Sequence, residues 1–216
     1  MIHISALGAA KDSPSSYARS KADGEAAVLT AFPNAVILRP SLVFGTDDDF
    51  FNRFAKMATL LPVLPVFTRD GPRMTCVDNV LHLELFGTGG PVFQPVWVGD
   101  VAQAALNALQ DPTAAGKTFE LGGTQRYSFK EILDLILSTT NRCCMLVPVP
   151  FWAARLMAPV LQFTPGKPLT PDQVRLMGSD NVVRGGKPGL SELGITPQAL
   201  TEIVPAYLDR YKRRPA

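Results

Sequence analysis

Tyr17 and Lys21 stand four residues apart in the stretch Ser15-Ser16-Tyr17-Ala18-Arg19-Ser20-Lys21-Ala22-Asp23-Gly24-Glu25. On a helix that spacing stacks the two side chains on one face. A phenol ordinarily titrates near ~10, and an ammonium group held beside it favours the phenolate, bringing its proton within reach of neutral-pH chemistry. Tyr17 could then pass a proton to a carbonyl, or take one from an alcohol, while hydride moves elsewhere. Taken by itself the pair is a common surface arrangement, so its neighbours have to decide its meaning.

Those neighbours read as a crossover unit. Met1-Ile2-His3-Ile4-Ser5-Ala6-Leu7-Gly8 is a short apolar strand ending at a hydroxyl and a glycine, and Ala35-Val36-Ile37-Leu38-Arg39-Pro40-Ser41 is a second, β-branched strand stopped by its proline. Between them a helix is predicted from near Ser13 to about Phe32. Strand, helix, strand at this spacing makes the two strands parallel.

With Ser5, Tyr17-x-x-x-Lys21 and Arg39-Pro40-Ser41-Leu42-Val43-Phe44-Gly45 in view, the chain resembles the second half of an extended or atypical short-chain dehydrogenase/reductase. Within that superfamily it is most similar to the NAD(P)-binding accessory subunits of respiratory complex I. Ala31-Phe32-Pro33, Gln94-Pro95-Val96 and Leu146-Val147-Pro148-Val149-Pro150 carry the same likeness. The resemblance implies an α/β fold: a partial Rossmann-like parallel sheet, the C-terminal half of one, with a small, mostly helical C-terminal lobe. Residues 1–125 would belong to the nucleotide-binding domain and 126–216 to the lobe.

The resemblance also implies a site. Ser5, Tyr17 and Lys21 would be the catalytic set, retained or vestigial, and Tyr17, Lys21, Pro40, Ser41 and Val43 would line the nicotinamide and ribose end of an NADP(H) or NAD(H) site. A glycine-rich phosphate turn is absent. Gly87-Thr88-Gly89-Gly90 leads into Pro91 and a strand instead of a helix. The first half of the fold, roughly a hundred residues, is therefore expected upstream of Met1, and cofactor binding is expected only with that half in place. Implied partners are other complex I subunits, with peripheral association to the inner mitochondrial membrane on its matrix side, or to its bacterial counterpart facing the cytoplasm.

Two further readings stand beside the accessory subunit. Ser5, Tyr17 and Lys21 together would serve an NAD(P)-dependent oxidoreductase or epimerase. Alternatively the chain by itself does neither, leaving unpaired strand edges that invite aggregation.

Composition narrows the field. Of 216 residues 46% are hydrophobic and 19% charged, with a formal net charge of +2, so one ordinary core is affordable and no nucleic-acid-binding field is present. The basic run Arg210-Tyr211-Lys212-Arg213-Arg214 reads as a solvated helix end. Three cysteines give neither a disulfide framework nor a zinc spacing, and a reducing compartment fits. No secretory signal opens the chain.

Downstream, Asp47-Asp48-Asp49 should face the positive start of a helix carrying Phe51, Phe54, Met57 and Ala58. Thr68 to Phe86 reads as an insert, and its Cys76, Asp78 and His82 lack a fourth metal ligand. Asp100 is predicted to cap a helix buried through Val101, Ala105, Leu106 and Leu109. Ser128 should cap another, with Phe129, Ile132, Leu133, Ile136 and Leu137 inward. Cys143 to Phe163 is apolar, but Pro148, Pro150, Arg155 and Pro159 break it and argue against a membrane span. A helix from Pro150 to Phe163 is expected, either buried or presenting Phe151, Trp152, Leu156 and Met157 to a partner. Thr170-Pro171 should start a further helix, and the last should run through Leu200, Ile203, Val204 and Leu208.

Overall fold

The computed structural model describes residues 1–69, 73–77, 80–164 and 169–213, with backbone alone at 73–77 and 80–83. In chain order the first half holds β1 (Ile2–Ile4), α1 (Ser16–Ala31), β2 (Val36–Pro40), β3 (Val43–Phe44), α2 (Asp49–Leu60), β4 (Val63–Thr68), β5 (Arg73–Val77), β6 (Val80–Glu84), β7 (Val92–Phe93) and β8 (Val96–Trp97). There follow α3 (Val98–Gln110), β9 (Thr118–Leu121), β10 (Tyr127–Ser128), α4 (Phe129–Thr139), β11 (Met145–Pro150), α5 (Phe151–Leu161), α6 (Pro171–Leu176) and α7 (Leu200–Leu208). The fold class is α/β, with short parallel sheets, as the sequence implied. Two compact units share the chain: Met1–Asp48, Phe93–Arg126 and Asn181–Tyr207 form one, and Asp49–Val92, Tyr127–Asp180 and Leu208–Ala216 the other.

The first unit is built on a parallel sheet in the order β1-β2-β9. Ile2, His3 and Ile4 lie opposite Val36, Ile37 and Leu38, and Ile37 to Pro40 lie opposite Thr118 to Leu121. Because α1 connects β1 to β2 and the strands run the same way, the predicted crossover is present. Its core gathers Val36, Leu38, Val101, Ala104, Phe119 and Leu121 between the sheet and α3. Of these strands β2 reads as an apolar run, Val36 to Leu38, because it is the central one and is buried there.

Helix α3 corrects two expectations. It begins at Val98, with Trp97 as its N-cap and no side-chain cap, so Asp100 lies inside the first turn and is not the cap. Its carboxylate is buried and accepts a bond from Gln198 N at 2.9 Å. Moreover the helix buries Val101, Ala104 and Ala108, whereas Leu106 and Leu109 point outward, 48% and 62% exposed. The apolar periodicity had two phases, and the alanines fit the closer approach to the sheet.

In the second unit α4 follows the sequence closely. Ser128 Oγ accepts from Glu131 N while Glu131 reaches back to Ser128 N at 2.7 Å, a reciprocal cap. All five predicted residues, Phe129, Ile132, Leu133, Ile136 and Leu137, are buried. Ser128→Ala is expected to lower stability by about 1 kcal/mol, read as a fall of roughly 2–4 °C in Tm on thermal melting.

Strands β4 and β11 pair in parallel over six residues, Val63 with Met145 through Thr68 with Pro150. Pro65, Pro148 and Pro150 sit within this ladder. Such prolines are tolerated where the missing N–H would face away from the partner. Within 68–86, β5 and β6 pair antiparallel, Arg73 opposite Glu84 through Val77 opposite Val80. Asp78 and the side chains of Cys76 and His82 lie outside the described residues.

Of the two alternatives for helix α5, burial and an outward apolar face, the structure has the second. Only Ala154 and Ala158 are buried, and Trp152, Leu156 and Val160 are each about two-thirds or more exposed at 68%, 71% and 69%. Among the described residues no helix is long and apolar enough to cross a membrane. Thr170 caps α6 in a reciprocal box with Gln173, Pro171 taking the first helical position. In α7, Leu200, Val204 and Leu208 are buried as expected.

Candidate functional site

The Tyr17–Lys21 pair is set by the start of α1. Ser15 is its N-cap, the hydroxyl accepting from Ala18 N at 3.3 Å, and Ser13 O receives Arg19 Nη1 at 2.7 Å. This fixes the first turn, so Tyr17 and Lys21 project from successive turns of one face. Lys21 Nζ lies 5.7 Å from the centroid of the Tyr17 ring and donates to Ile4 O at 3.4 Å. That long, exposed bond leaves the ammonium with donors to spare.

Burial pushes the Tyr17 phenol above its usual value, because desolvation disfavours the phenolate.

Ser5 follows β1 directly. Its N–H donates to Leu38 O at 2.7 Å, which holds the residue against β2, 3% exposed. The hydroxyl is buried with no hydrogen-bond partner. The Glu25 carboxylate is still near enough for Ser5 to help hold its pKa down.

Glu25 and Arg39 form an element that the sequence reading passed over. Arg39 Nε donates to Glu25 Oε1 at 2.8 Å and Nη2 to Oε2 at 2.6 Å, a two-pronged pair whose side chains are 9% and 18% exposed. Burial pushes Glu25 upward, but the Arg39 bonds, the Ser5 hydroxyl and the charges of Arg39 and Lys187 outweigh it, and the carboxyl ends below its usual range. Glu25 lies two turns beyond Tyr17 on α1, and Arg39 is on β2. The pair therefore fastens the helix bearing Tyr17 and Lys21 to the strand that leads to Ser41.

The second group of predicted residues lies at and beyond the end of β2. Pro40 is the last residue of the strand and accepts from Leu7 N at 2.9 Å. Ser41 is 7% exposed, and its hydroxyl is engaged by Asn181, at 2.6 Å from Oδ1 and 2.8 Å from the backbone oxygen. Val43 pairs with Val96 in β3–β8 and packs against the core. The structure thus joins Tyr17 with Lys21, and Ser5 with Glu25, while committing Ser41 to a contact 140 residues away. Among the described residues no group of His, Cys, Asp and Glu is arranged to hold a metal.

No family model matches the chain. Its sequence is 35% identical over 92% of its length to the protein named NADH dehydrogenase (ubiquinone) 1 alpha subcomplex subunit 9, mitochondrial, of Mus musculus, covering 48% of that protein. It is 31% identical over 98% of its length to the protein of the same name from Arabidopsis thaliana, covering 50%. The chain therefore spans about half the length of the curated relatives it matches. Among solved structures it superposes on DesIV, a dTDP-glucose 4,6-dehydratase from Streptomyces venezuelae with NAD and TYD bound. The TM-score is 0.60 at 17% identity, with 97% of this chain and 58% of that one aligned. At that identity the likeness is one of fold.

Proposed function

We propose that this chain, a homologue over nearly all its length of the alpha subcomplex subunit 9 proteins of mitochondrial complex I, is part of an accessory, non-catalytic NAD(P)H-binding subunit of respiratory NADH:ubiquinone oxidoreductase. The observation that carries the proposal is 35% identity sustained over 92% of the chain. Its partners are then other complex I subunits and its place is the mitochondrial inner membrane, on the matrix side.

The site geometry supports binding without turnover. An ammonium with unused donors suits the hydroxyls of a nicotinamide ribose, and the buried Ser5 hydroxyl beside Glu25 is a further polar group. Lys21 and Tyr17 would hold the ribose and Ser5 the carboxamide side, with Pro40, Ser41 and Val43 forming the wall behind. When bound, NAD(P)H supplies hydride chemistry. Tyr17, its phenol pushed upward by burial, would donate a hydrogen bond there.

The test uses the full-length protein, tagged and expressed in its native source. Membranes solubilised in mild detergent and run on a native gel should show the tag in the band that stains for NADH dehydrogenase activity; a soluble, unassociated monomer overturns the proposal. In that complex Lys21→Met should weaken NADPH binding about tenfold or more, the value of a charged hydrogen bond. Tyr17→Phe should leave NADH oxidation unchanged.

The retention of Ser5, Tyr17 and Lys21 together favours a second reading, an NAD(P)-dependent oxidoreductase or epimerase. NAD(P)H-linked turnover by the isolated full-length protein, abolished by Tyr17→Phe, would establish it instead.

A further inference from the structure

Helix α5 is built the wrong way round for a helix in water. Its small residues, Ala154 and Ala158, face the protein, while Trp152, Leu156 and Val160 recur at every fourth position along the opposite face. Phe163, just beyond the helix, continues that row and is 84% exposed. At the helical rise the row is roughly 16 Å long. Its four side chains present on the order of 600 Å² of apolar surface, the upper end of what the largest patch on a monomer reaches. Met157, half exposed, widens the face on one side, and the exposed Arg155 flanks it on the other.

The charges of this stretch have one sign. Between Asp134 and Asp172 the chain holds no carboxylate, and its charged residues there are Arg142, Arg155 and Lys167. On α5 itself Arg155 is the one charged side chain. The first turn has neither an acidic residue nor a side-chain cap, so the positive end of the helix dipole is left open. Helix α6, which packs on α5, adds Asp172 and Arg175, an i,i+3 pair at 3.9 Å that is neutral as a whole. Through the second unit basic residues outnumber acidic ones, and in the first the reverse holds.

These features fit a fluid anionic surface better than a folded partner. The exposed row offers a single hydrogen-bond donor, the Trp152 indole N–H, where a protein interface ordinarily carries about ten hydrogen bonds and a polar rim. The C-terminal end of the helix satisfies itself. Pro159 O accepts from Gln162 Nε2 at 3.0 Å and Leu161 O from Thr164 Oγ1 at 2.7 Å, so these carbonyls lose little when water is withdrawn. Eleven residues are too few to cross a bilayer. Trp and Phe, at the two ends of the row, are the types that settle at the level of lipid headgroups.

We propose that α5 is an interfacial anchor that lies flat on an anionic lipid surface. Trp152, Leu156, Val160 and Phe163 enter the boundary between headgroups and acyl chains, and Arg155 pairs with lipid phosphates. The inference stands on α5 and its charges, so it holds or fails independently of cofactor binding and of assembly with other subunits.

The experiment floats the purified full chain with vesicles of phosphatidylcholine alone, and of phosphatidylcholine with about one quarter phosphatidylglycerol. Binding to the anionic vesicles is expected, several-fold tighter than to the neutral ones. Arg155→Gln should cost about fivefold on the anionic vesicles and nothing on the neutral ones, the share of one cation near a charged surface; raised salt should act in the same direction. Leu156→Glu should cost about tenfold or more on the anionic vesicles. Leu109→Gln removes a comparably exposed leucine from α3 and should leave binding within about twofold. In a Trp97→Phe background Trp152 is the sole indole, and its emission should shift to the blue on the anionic vesicles. Absence of flotation, an unshifted Trp152, or equal losses for Leu156→Glu and Leu109→Gln overturns the proposal. A dimer in solution that Leu156→Glu dissociates also overturns it, by giving the face to a second copy.

Discussion

Glu25→Ala is expected to destabilise the protein by about 3–5 kcal/mol, the ordinary consequence of stranding one member of a buried ion pair. Arg39 would be left with its guanidinium 18% exposed and its two prongs unmatched. Glu120 lies directly opposite in the sheet and would relieve part of that loss, which favours the lower end of the range. Replacing both partners by apolar residues, Glu25→Leu with Arg39→Met, should recover most of the stability, since no charge then remains buried. The sign of the pH dependence is fixed by the direction of the shift. The folded-state pKa of Glu25 is lowered, so its contribution is complete above the unfolded value of ~4.3 and disappears as pH falls through the folded value. Urea denaturation should therefore give a constant gap between wild type and Glu25→Ala from neutral pH down to about pH 5, closing below about pH 4. A gap under about 1 kcal/mol at neutral pH, or one unchanged in acid, would show that the pair does not hold α1 to the sheet. Asp100 works the other way. Burial raises its pKa despite the bond from Gln198, so whatever stability it lends is present in acid and lost as pH rises through the folded value.

Phe129→Ala should carry a comparable penalty in the second unit, about 3–5 kcal/mol for removing a fully buried phenylalanine. The ring is 0% exposed and meets three others: Phe50 at 5.9 Å and 81°, Phe54 at 5.4 Å and 79°, and Phe67 at 5.7 Å and 40° between planes. Two of these are edge-on contacts, the geometry that the aromatic quadrupole prefers. Phe129→Leu fills most of the space but loses the ring contacts, so it should cost roughly half as much or less. Denaturation midpoints for the two variants provide the check; an alanine variant as stable as the leucine one would mean that the neighbouring rings close the gap.

What could be read in the sequence was what depends on near neighbours. Tyr17 and Lys21 are joined by helix geometry alone, Ser128 and Glu131 by a three-residue reciprocal cap, and the α4 stripe by an unambiguous period. The parallel β1–β2 arrangement followed from the length of the connection. Three kinds of error have separate physical origins. Asp100 was misplaced because a good capping residue sits next to a helix that starts two positions earlier at Val98, where the strand β8 hands over directly. Leu106 and Leu109 looked inward because leucine outweighs alanine in any apolar count, yet the sheet admits only the small side of α3. The prolines of β4 and β11 disguised a six-residue parallel ladder. Glu25 with Arg39, and Ser41 with Asn181, could not be read at all. Each depends on strand register or on a segment that returns from 140 positions away.

The division of each unit among three separated segments has a consequence for how the protein is made. Ser41 leaves the ribosome 140 positions ahead of Asn181, an interval on the order of ten seconds at cellular elongation rates. Within it the nascent chain carries a half-assembled sheet until β9 emerges about 80 positions after β2, and β4 waits about as long for β11. Folding domain by domain during translation is closed to it, so the emerging polypeptide should depend on chaperones. A premature stop before residue 181 should yield no folded fragment, because it leaves both units incomplete.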